Sequence, residues 1–273
     1  MDFKFKPEDI FLEKRTNAEY VETITKWLPN VKEKYVPKTL SDEMMVLFLL
    51  SCTNDINLTK RTIISYYKLR KASPLIFDNR RVDCPEIQSA LKAVSFSVIP
   101  KPIEHKIILF IKLRDTYYKN AKVEYAIKII CMLLDVCQEE NPPDTIIVVI
   151  DMYGFGVMHM TMLHIEALRT IFAYVQEACP IKLKTIHFVN SNLMLQKILS
   201  FCKIFMKQEL IEKIHCHKGI DGLSNFISKE YLPQDYGGDR PSTEELRKTV
   251  YKKFEDKQTF WEAEEKMRKQ YYC

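Results

Sequence analysis

Glycine is scarce in this chain, with 6 glycines in 273 residues, and none of them forms a phosphate-binding motif. The sequence contains no GxGxxG, no GxxxxGKS/T and no GxSxG pattern. Loops that hold phosphate groups need glycines, because the backbone must approach the ligand closely. The scarcity therefore argues against a nucleotide site of a common kind.

Long apolar runs, paired cysteines and dense basic charge are also missing. No stretch reaches about 18 uninterrupted apolar residues and the N-terminus lacks a signal-like run, which predicts a soluble, cytoplasmic protein. The eight cysteines form no CxxC pair and most lie in apolar segments, which favours free thiols in a reducing compartment. The 41 basic and 36 acidic residues leave a net charge of +5 that is spread along the chain. Nucleic acid is therefore not an expected partner, whereas weak attraction to anionic membranes is.

The glycine-free first part of the chain reads as a helical section. Helical patterns separated by proline-marked breaks occupy residues 1–94. Short β-branched runs then alternate with helical patterns in residues 95–240, and residues 241–273 read as one helix that begins with the capping pair Ser242 and Glu245. We expect these three parts to be a helical N-terminal section, an α/β domain and a C-terminal helix.

The middle part predicts an α/β fold with a mostly parallel sheet. Strands that alternate with helices need crossover connections, which bring consecutive strands side by side. The run 146–150 is apolar throughout, as expected for a strand buried on both faces. The predicted strands are 107–111, 146–150, 185–189 and 214–216, and the predicted helices are 123–140, 162–177 and 192–207.

Asp151 and two histidines invite a catalytic or metal-binding interpretation. Asp151 follows a predicted strand, where α/β folds place ligand-binding groups, but no Ser/His pair or second carboxylate stands near it. A turn-capping aspartate is the simpler explanation. His215 and His217 alternate onto one strand face without a third ligand at a recognisable spacing. We predict no catalytic residue and no metal site.

The predicted helix 192–207 is apolar on nearly all sides, with a narrow polar stripe through Gln196, Ser200, Lys203 and Lys207. Such a helix either packs in the core with one edge exposed or forms a movable lid between a ligand and a bilayer. Its apolar residues are Leu193, Met194, Leu195, Ile198, Leu199, Phe201, Cys202, Ile204, Phe205 and Met206.

The segment 232–238, Leu-Pro-Gln-Asp-Tyr-Gly-Gly, holds two of the six glycines. By itself it is an ordinary turn that needs the backbone freedom of glycine. Together with the run that begins at Asp144, it resembles the CRAL-TRIO lipid-binding family, whose domain closes with a similar motif that has Glu in place of Asp235. The resemblance also rests on Ile150-Asp151-x-x-Gly154, Pro180-x-Lys182 and Ile186-His187-x-x-Asn190, and is strongest to the tocopherol-transfer and retinaldehyde-binding branch.

The resemblance implies a non-enzymatic monomer, cytoplasmic and peripheral at membranes, that transfers a small hydrophobic lipid without a cofactor. Retinoids, tocopherols and carotenoids are the implied ligand types, and residues 193–206 are the implied mobile gate. The same apolar residues would also serve in a filled core. The implied ligand-binding positions are Tyr125, Ile129, Met132, Ile146, Ile150, Phe155, Val157, Ile171, Tyr174, Val175, Cys179 and Ile186.

The resemblance further implies contact with anionic lipid through basic residues beside the gate. Lys182, Lys184 and Lys213 match such positions, whereas Glu209 and Ile211 replace basic residues. We therefore expect weak, salt-sensitive attraction to anionic membranes.

Two positions depart from the branch, and three other functions stay open at this point. Lys128 and Met132 replace small polar residues that orient the ligand, which predicts a different recognition of its head group. The alternatives are a regulatory or protein-interaction module with a filled cavity, a phospholipid exchange protein, and an enzyme that acts through Asp151.

Overall fold

Six α-helices make up most of residues 7–93, and each starts at a residue suited to a helix N-terminus. The protein is described by a computed structural model over residues 3–99 and 105–271. Proline begins three of the helices, since its missing N–H is not needed at the first helical position. A side-chain oxygen of Asn17, Ser41 or Asp55 accepts a backbone N–H at the start of the others. The helices are α1 (Pro7–Leu12), α2 (Ala18–Trp27), α3 (Asp42–Ser51), α4 (Ile56–Ala72), α5 (Pro74–Phe77) and α6 (Pro85–Ala93).

These helices confirm the predicted helical N-terminal section, and α3 is its buried centre. Every residue from Met44 to Leu50 is buried, and α1, α2 and α4 pack around them. A helix that is apolar on all sides is stable only inside such a bundle.

A five-stranded sheet in the described residues confirms the predicted α/β fold with mostly parallel strands. The strand order is β1-β2-β3-β4-β5; β1 is antiparallel to β2, and the later neighbours are parallel and joined through helices. The strands are β1 (Val94–Val98), β2 (Lys106–Leu113), β3 (Thr145–Asp151), β4 (Lys182–Val189) and β5 (Ile214–Cys216); the helices between them are α7 (Val123–Cys137), α8 (Val157–Met160), α9 (Ile165–Glu177), α10 (Leu193–Cys202) and α11 (Gln208–Ile211).

Several elements differ from the sequence prediction. Helix α7 ends at Cys137 instead of residue 140, and α9 begins at Ile165 instead of residue 162. Strand β1 is missing from the sequence prediction, although Val94, Phe96 and Val98 alternate with Ser95 and Ser97 as in a strand. Helix α10 ends at Cys202, where a 3₁₀ turn (Lys203–Phe205) follows, instead of continuing to residue 207.

The C-terminal part also differs, because two helices replace the single predicted one. They are α12 (Thr243–Asp256) and α13 (Gln258–Lys269), and Lys257 between them leaves the helical conformation. The break turns Trp261 onto Phe254, with ring centroids 5.8 Å apart. The predicted capping pair of Ser242 and Glu245 is confirmed at the start of α12.

The two faces of the sheet are covered by different parts of the chain. Ile107 and Ile146 belong to the main core, together with residues of α7 and α9. Phe110 and Val149 lie on the other face in a second core, which residues 220–236 cover with short 3₁₀ turns. The sheet is therefore the middle layer of the fold.

A cluster of buried charges joins the front section, α7 and the C-terminus. Arg70 on α4 and Arg80 after α5 each contact both Asp135 on α7 and Glu264 on α13. Arg268, one turn after Glu264, donates to it at 3.0 Å. All three guanidinium groups are fully buried. Burial raises the pKa of Glu264, but the three arginines outweigh that effect and lower the pKa to about 2.

Replacing Glu264 by Gln should lower the free energy of unfolding by about 3–5 kcal/mol at neutral pH, because it leaves buried arginines without a counter-charge. Glu262→Gln, on an exposed position of the same helix, is the matched control and should cost less than about 0.5 kcal/mol. Because the pKa of Glu264 is depressed, its contribution is complete above about pH 4.5 and is lost as the pH falls toward about 2. Urea unfolding against pH measures these effects, and equal midpoints for the two variants would contradict the assignment.

Candidate functional site

The helix-facing side of the sheet is closed near one end of the strands and open near the other. Ile107 and Ile146, which pair near the amino ends of β2 and β3, are buried in the main core. Val148, Ile150 and Phe188 follow on the same side, because side chains alternate along a strand, and they are only half-buried. The sequence predicts that strand β3 is buried on both faces; this is wrong for its carboxyl half, where Val148 and Ile150 are only half-buried. The carboxyl half of the sheet presents an apolar surface that the protein's own side chains leave partly uncovered.

Helix α9 brings further apolar side chains to the same region. Its Leu168, Ile171, Phe172 and Val175 are half-buried and pack against the main core beside Ile186 of β4. Apolar side chains that are neither fully buried in the core nor fully exposed to solvent are typical of the walls of ligand pockets.

The predicted ligand-binding residues fall into three groups of exposure, and their role in binding stays a prediction. Five lie in the closed core: Ile129, Met132, Ile146, Tyr174 and Cys179. Six are half-buried: Tyr125, Ile150, Phe155, Ile171, Val175 and Ile186. Val157 is 61% exposed, at the start of α8.

The segment predicted as a gate, residues 193–206 and hereafter the gate segment, carries apolar groups both inward and outward. Leu195 and Cys202 are buried, whereas Leu193 is 69% and Phe201 41% exposed. The remaining predicted gate residues, Met194, Ile198, Leu199, Phe205 and Met206, are half-buried. An apolar outer side costs solvation in water and favours contact with an apolar surface.

Side-chain amides hold the gate segment at both of its ends. Asn192 donates to the carbonyl of Phe155 at 3.1 Å before α10 begins. At the other end, Gln176 of α9 donates to the carbonyl of Phe205 at 3.0 Å and accepts the N–H of Lys207 at 2.6 Å. These amides therefore connect the two ends of the segment to the loop before α8 and to α9, while Leu195 and Cys202 anchor its middle by burial.

Asp151 is a structural carboxylate that joins three parts of the fold. It accepts hydrogen bonds from the N–H of Tyr153 at 2.9 Å, the amide of Asn190 at 2.8 Å and the hydroxyl of Tyr236 at 2.8 Å. Burial and the nearby Asp151 charge raise the pKa of Tyr236, which keeps its hydroxyl proton for this bond. The turn-capping interpretation of Asp151 thus has direct geometric support.

The motif at residues 232–238 depends on its two glycines. Gly237 adopts φ +76°, and a Cβ on Gly238 would lie 1.9 Å from the carbonyl oxygen of Leu232. Asp235 accepts from Lys112 at 2.8 Å and from the N–H of Thr243 at 2.9 Å, so the motif also caps α12. Burial raises the pKa of Asp235, but these donors outweigh it and leave the pKa below its usual value.

A cleft of about 280 Å³ beside the end of the gate segment gathers basic residues. Two of the three lysines predicted to contact anionic lipid, Lys182 and Lys213, line this cleft. The third, Lys184, is exposed and does not line it. Lys182 donates to Thr53 at 3.0 Å. Glu209 also lines the cleft and reduces its positive charge.

No helix in the described ranges is long and apolar enough to cross a membrane. The same part of the chain holds no group of His, Cys, Asp or Glu side chains arranged to bind a metal ion. Seven of the eight cysteines lie there and are unpaired, while Cys273 lies outside the described residues.

Residues 101–238 match the family described as CRAL/TRIO domain. The chain belongs to this family. Residues 13–87 match a second description, Pinta-like, UBA domain. The CRAL/TRIO match covers strands β2 to β5, the gate segment and the closing glycines, and confirms the resemblance drawn from their motifs.

Curated relatives of this CRAL/TRIO chain are distant and longer. The Mus musculus protein named alpha-tocopherol transfer protein-like is 21% identical over 208 residues, which cover 75% of this chain and 60% of that protein. Clavesin-1 of Xenopus laevis is 25% identical over 187 residues, 66% of this chain and 56% of its own. The chain thus spans about three fifths of the relatives it matches. The crystal structure of Sfh5 shares the fold, with a TM-score of 0.58 at 15% identity over 90% of this chain and 93% of that one.

The structure also identifies site residues that sequence reasoning misses. Val148 and Phe188 share the open apolar surface, and Gln176 holds the gate segment. The strand alternation could have indicated the first two, but no local signal marks Gln176. Lys128 points away from the sheet, because its ammonium group donates to the carbonyl of Asp78 at 2.6 Å.

The closing motif yields a direct test of its backbone geometry. Gly238→Ala should destabilise the protein by about 3 kcal/mol, because the new Cβ would overlap the Leu232 carbonyl and force the turn to shift. Gly219→Ala is the matched control, since a Cβ there meets nothing within 4 Å. Thermal unfolding compares the two, and similar midpoints would show that the turn relaxes without cost.

Proposed function

We propose that this CRAL/TRIO chain binds a small hydrophobic lipid under the gate segment and transfers it between membranes. The observation that carries the proposal is the half-buried apolar surface on the helix-facing side of the sheet, at the strand ends where the gate segment begins. Transfer needs no covalent step, since opening and closing of the gate segment suffice.

Apolar contact alone is strong enough to retain such a ligand. Burying about 500 Å² of apolar ligand area contributes on the order of 12 kcal/mol before ordering costs. Isoprenoid lipids such as retinoids, tocopherols and carotenoids fit, because they are long, largely apolar and carry few polar groups. The name of the Mus musculus relative points to the same class.

The proposed membrane contact rests on exposed apolar residues on the outer side of the gate segment and on neighbouring helices. Leu193 and Ile204 are 69% and 75% exposed, and Val157 and Ile165 project nearby at 61% and 55%. Apolar side chains of this kind insert into a membrane interface. The cleft lysines add weak attraction to anionic lipid, at about 1 kcal/mol per nearby lysine. We propose that the protein acts as a monomer during this contact.

Added volume beside the proposed ligand should obstruct binding. Ile171→Trp should weaken retinol binding about tenfold or more, because the ring enters space that the ligand occupies, at a stability cost of about 1–3 kcal/mol. Ile165→Trp, an exposed position on the same helix, should bind as the wild type does. Retinol and tocopherol fluorescence titrations measure both variants, and unchanged affinity in Ile171→Trp would place the ligand elsewhere.

Loosening the gate segment should speed exchange. Gln176→Ala removes two hydrogen bonds to the segment's end, each worth about 1 kcal/mol, and should raise the rate of ligand transfer to vesicles roughly tenfold. Gln196→Ala, on the exposed side of α10, is the control and should leave the rate unchanged. Equal rates in the two variants would remove Gln176 from the mechanism.

The identity of the cargo decides between transfer and the other functions. Mass spectrometry of organic extracts from protein purified out of its native tissue should show a bound isoprenoid. A bound phospholipid would instead indicate phospholipid exchange, and protein that neither carries nor takes up lipid would indicate an interaction module with a filled cavity.

A further inference from the structure

Three histidines and a phenylalanine meet where the last two strands pair. His187 of β4 stacks on His215 of β5 at 5.0 Å and on His217 at 5.3 Å between ring centroids. Phe226 lies within 5.6 Å of all three rings. We call His187, His215 and His217 the histidine cluster.

The cluster lies between the two connections of the gate segment. His187 stands two residues before the end of β4, from which the chain enters the gate segment, and His217 directly follows β5, to which it returns. The carbonyl of His217 accepts the N–H of Ser191 at 2.9 Å, and its N–H donates to Phe188 at 2.8 Å. Strand β5 is only three residues long and lies at the sheet edge, so few bonds hold it.

Hydrogen-bond chemistry limits how many protons the closed cluster can hold. Nδ1 of His187 lies 3.0 Å from Nε2 of His217, and Nε2 of His187 lies 2.9 Å from the hydroxyl of Thr185. The contact between the rings needs one nitrogen as acceptor, so His187 and His217 cannot both be charged in it.

The surroundings offer no compensating negative charge. Val149 faces the cluster from β3, Leu223 and Phe226 from the covering segment, and Thr185 from β4. Lys218 and Asp221 beside the cluster are exposed. Across the described parts of the chain, no carboxylate lies within ion-pair distance of the three rings.

We propose that the histidine cluster is a pH-sensitive clasp: protonation separates β5 from β4 and frees the gate segment where a membrane surface or compartment is acidic. That opening of the clasp releases a ligand rests on the proposed function. The opening itself does not, because it can be measured in lipid-free protein.

The size of the response follows from the burial of His187. Burial, with His215 and His217 adding to it, lowers the pKa of His187 from 6.5 to about 4. Above pH 6.5 His187 is neutral in both forms and favours neither; as the pH falls from 6.5 toward about 4, the open form binds the proton more readily and the closed form is progressively disfavoured. If the open form restores the ordinary pKa, the ratio of closed to open protein should fall about tenfold between about pH 7.4 and about pH 5.5.

Amide hydrogen exchange of lipid-free protein at these two pH values tests the clasp. After correction for intrinsic rates, protection of residues 186–191 and 214–217 should fall about tenfold in the wild type. His187→Phe keeps an aromatic ring but has no titratable group, so the loss of protection between the two pH values should be much smaller in this variant. His217→Gln, at a half-exposed position, gives a second variant should His187→Phe not fold.

His105→Asn is the matched control, because His105 lies outside the cluster and its φ of +60° suits asparagine. It should respond to pH as the wild type does. An equal fall in the wild type and both cluster variants, or no fall in the wild type, would overturn the clasp. A pH response in protein that takes up neither retinol nor tocopherol would support the clasp and overturn the proposed function, whereas lipid binding without the response would do the reverse.

Discussion

Three buried arginines and two carboxylates hold helices from opposite ends of the chain against α7. Removing these charges from water costs several kcal/mol per ion, so the arrangement is favourable only when all the partners meet. Arg70 of α4 forms ion pairs with Asp135 of α7 and with Glu264 of α13, so the cluster joins these three helices. Helix α7 is also the crossover between β2 and β3. The charge cluster therefore links the sheet, through α7, to helix α4 of the N-terminal section and to helix α13 at the C-terminus.

That fixed half of the molecule contrasts with the carboxyl ends of the strands. There the sheet is joined to its surroundings by directional bonds of Asp151 and by a few amide contacts to the gate segment. Such contacts are individually worth about 1 kcal/mol and can open separately, whereas the charge cluster cannot. A rigid cluster at one end and individually weak contacts at the other are what the proposed ligand exchange requires, since local opening must not unfold the core.

Much of the fold could be predicted from sequence because its signals are local. Proline breaks, the capping pair at Ser242 and the β-branched run at 146–150 each act over a few residues. Strand β1 is missed, because its alternation of apolar residues and serines spans only five residues directly after a helical pattern; pairing with β2 and packing on α12 stabilise it. The break at Lys257 also escapes prediction, because the contact of Trp261 with Phe254 sets it.

The sequence by itself determined the family, the α/β class and the apolar character of the site, because motifs and periodicity are properties of neighbouring residues. Only the tertiary structure decided which apolar residues are buried and which are half-exposed. Ile129 and Met132 are fully buried, whereas Ile150 and Ile171 are half-buried. The tertiary structure also decided that Asp151 accepts three hydrogen bonds and that His187 stacks on His215 and His217, about thirty residues further along the chain. Exposure and charge pairing depend on which segments meet in space, and no window of sequence contains that information.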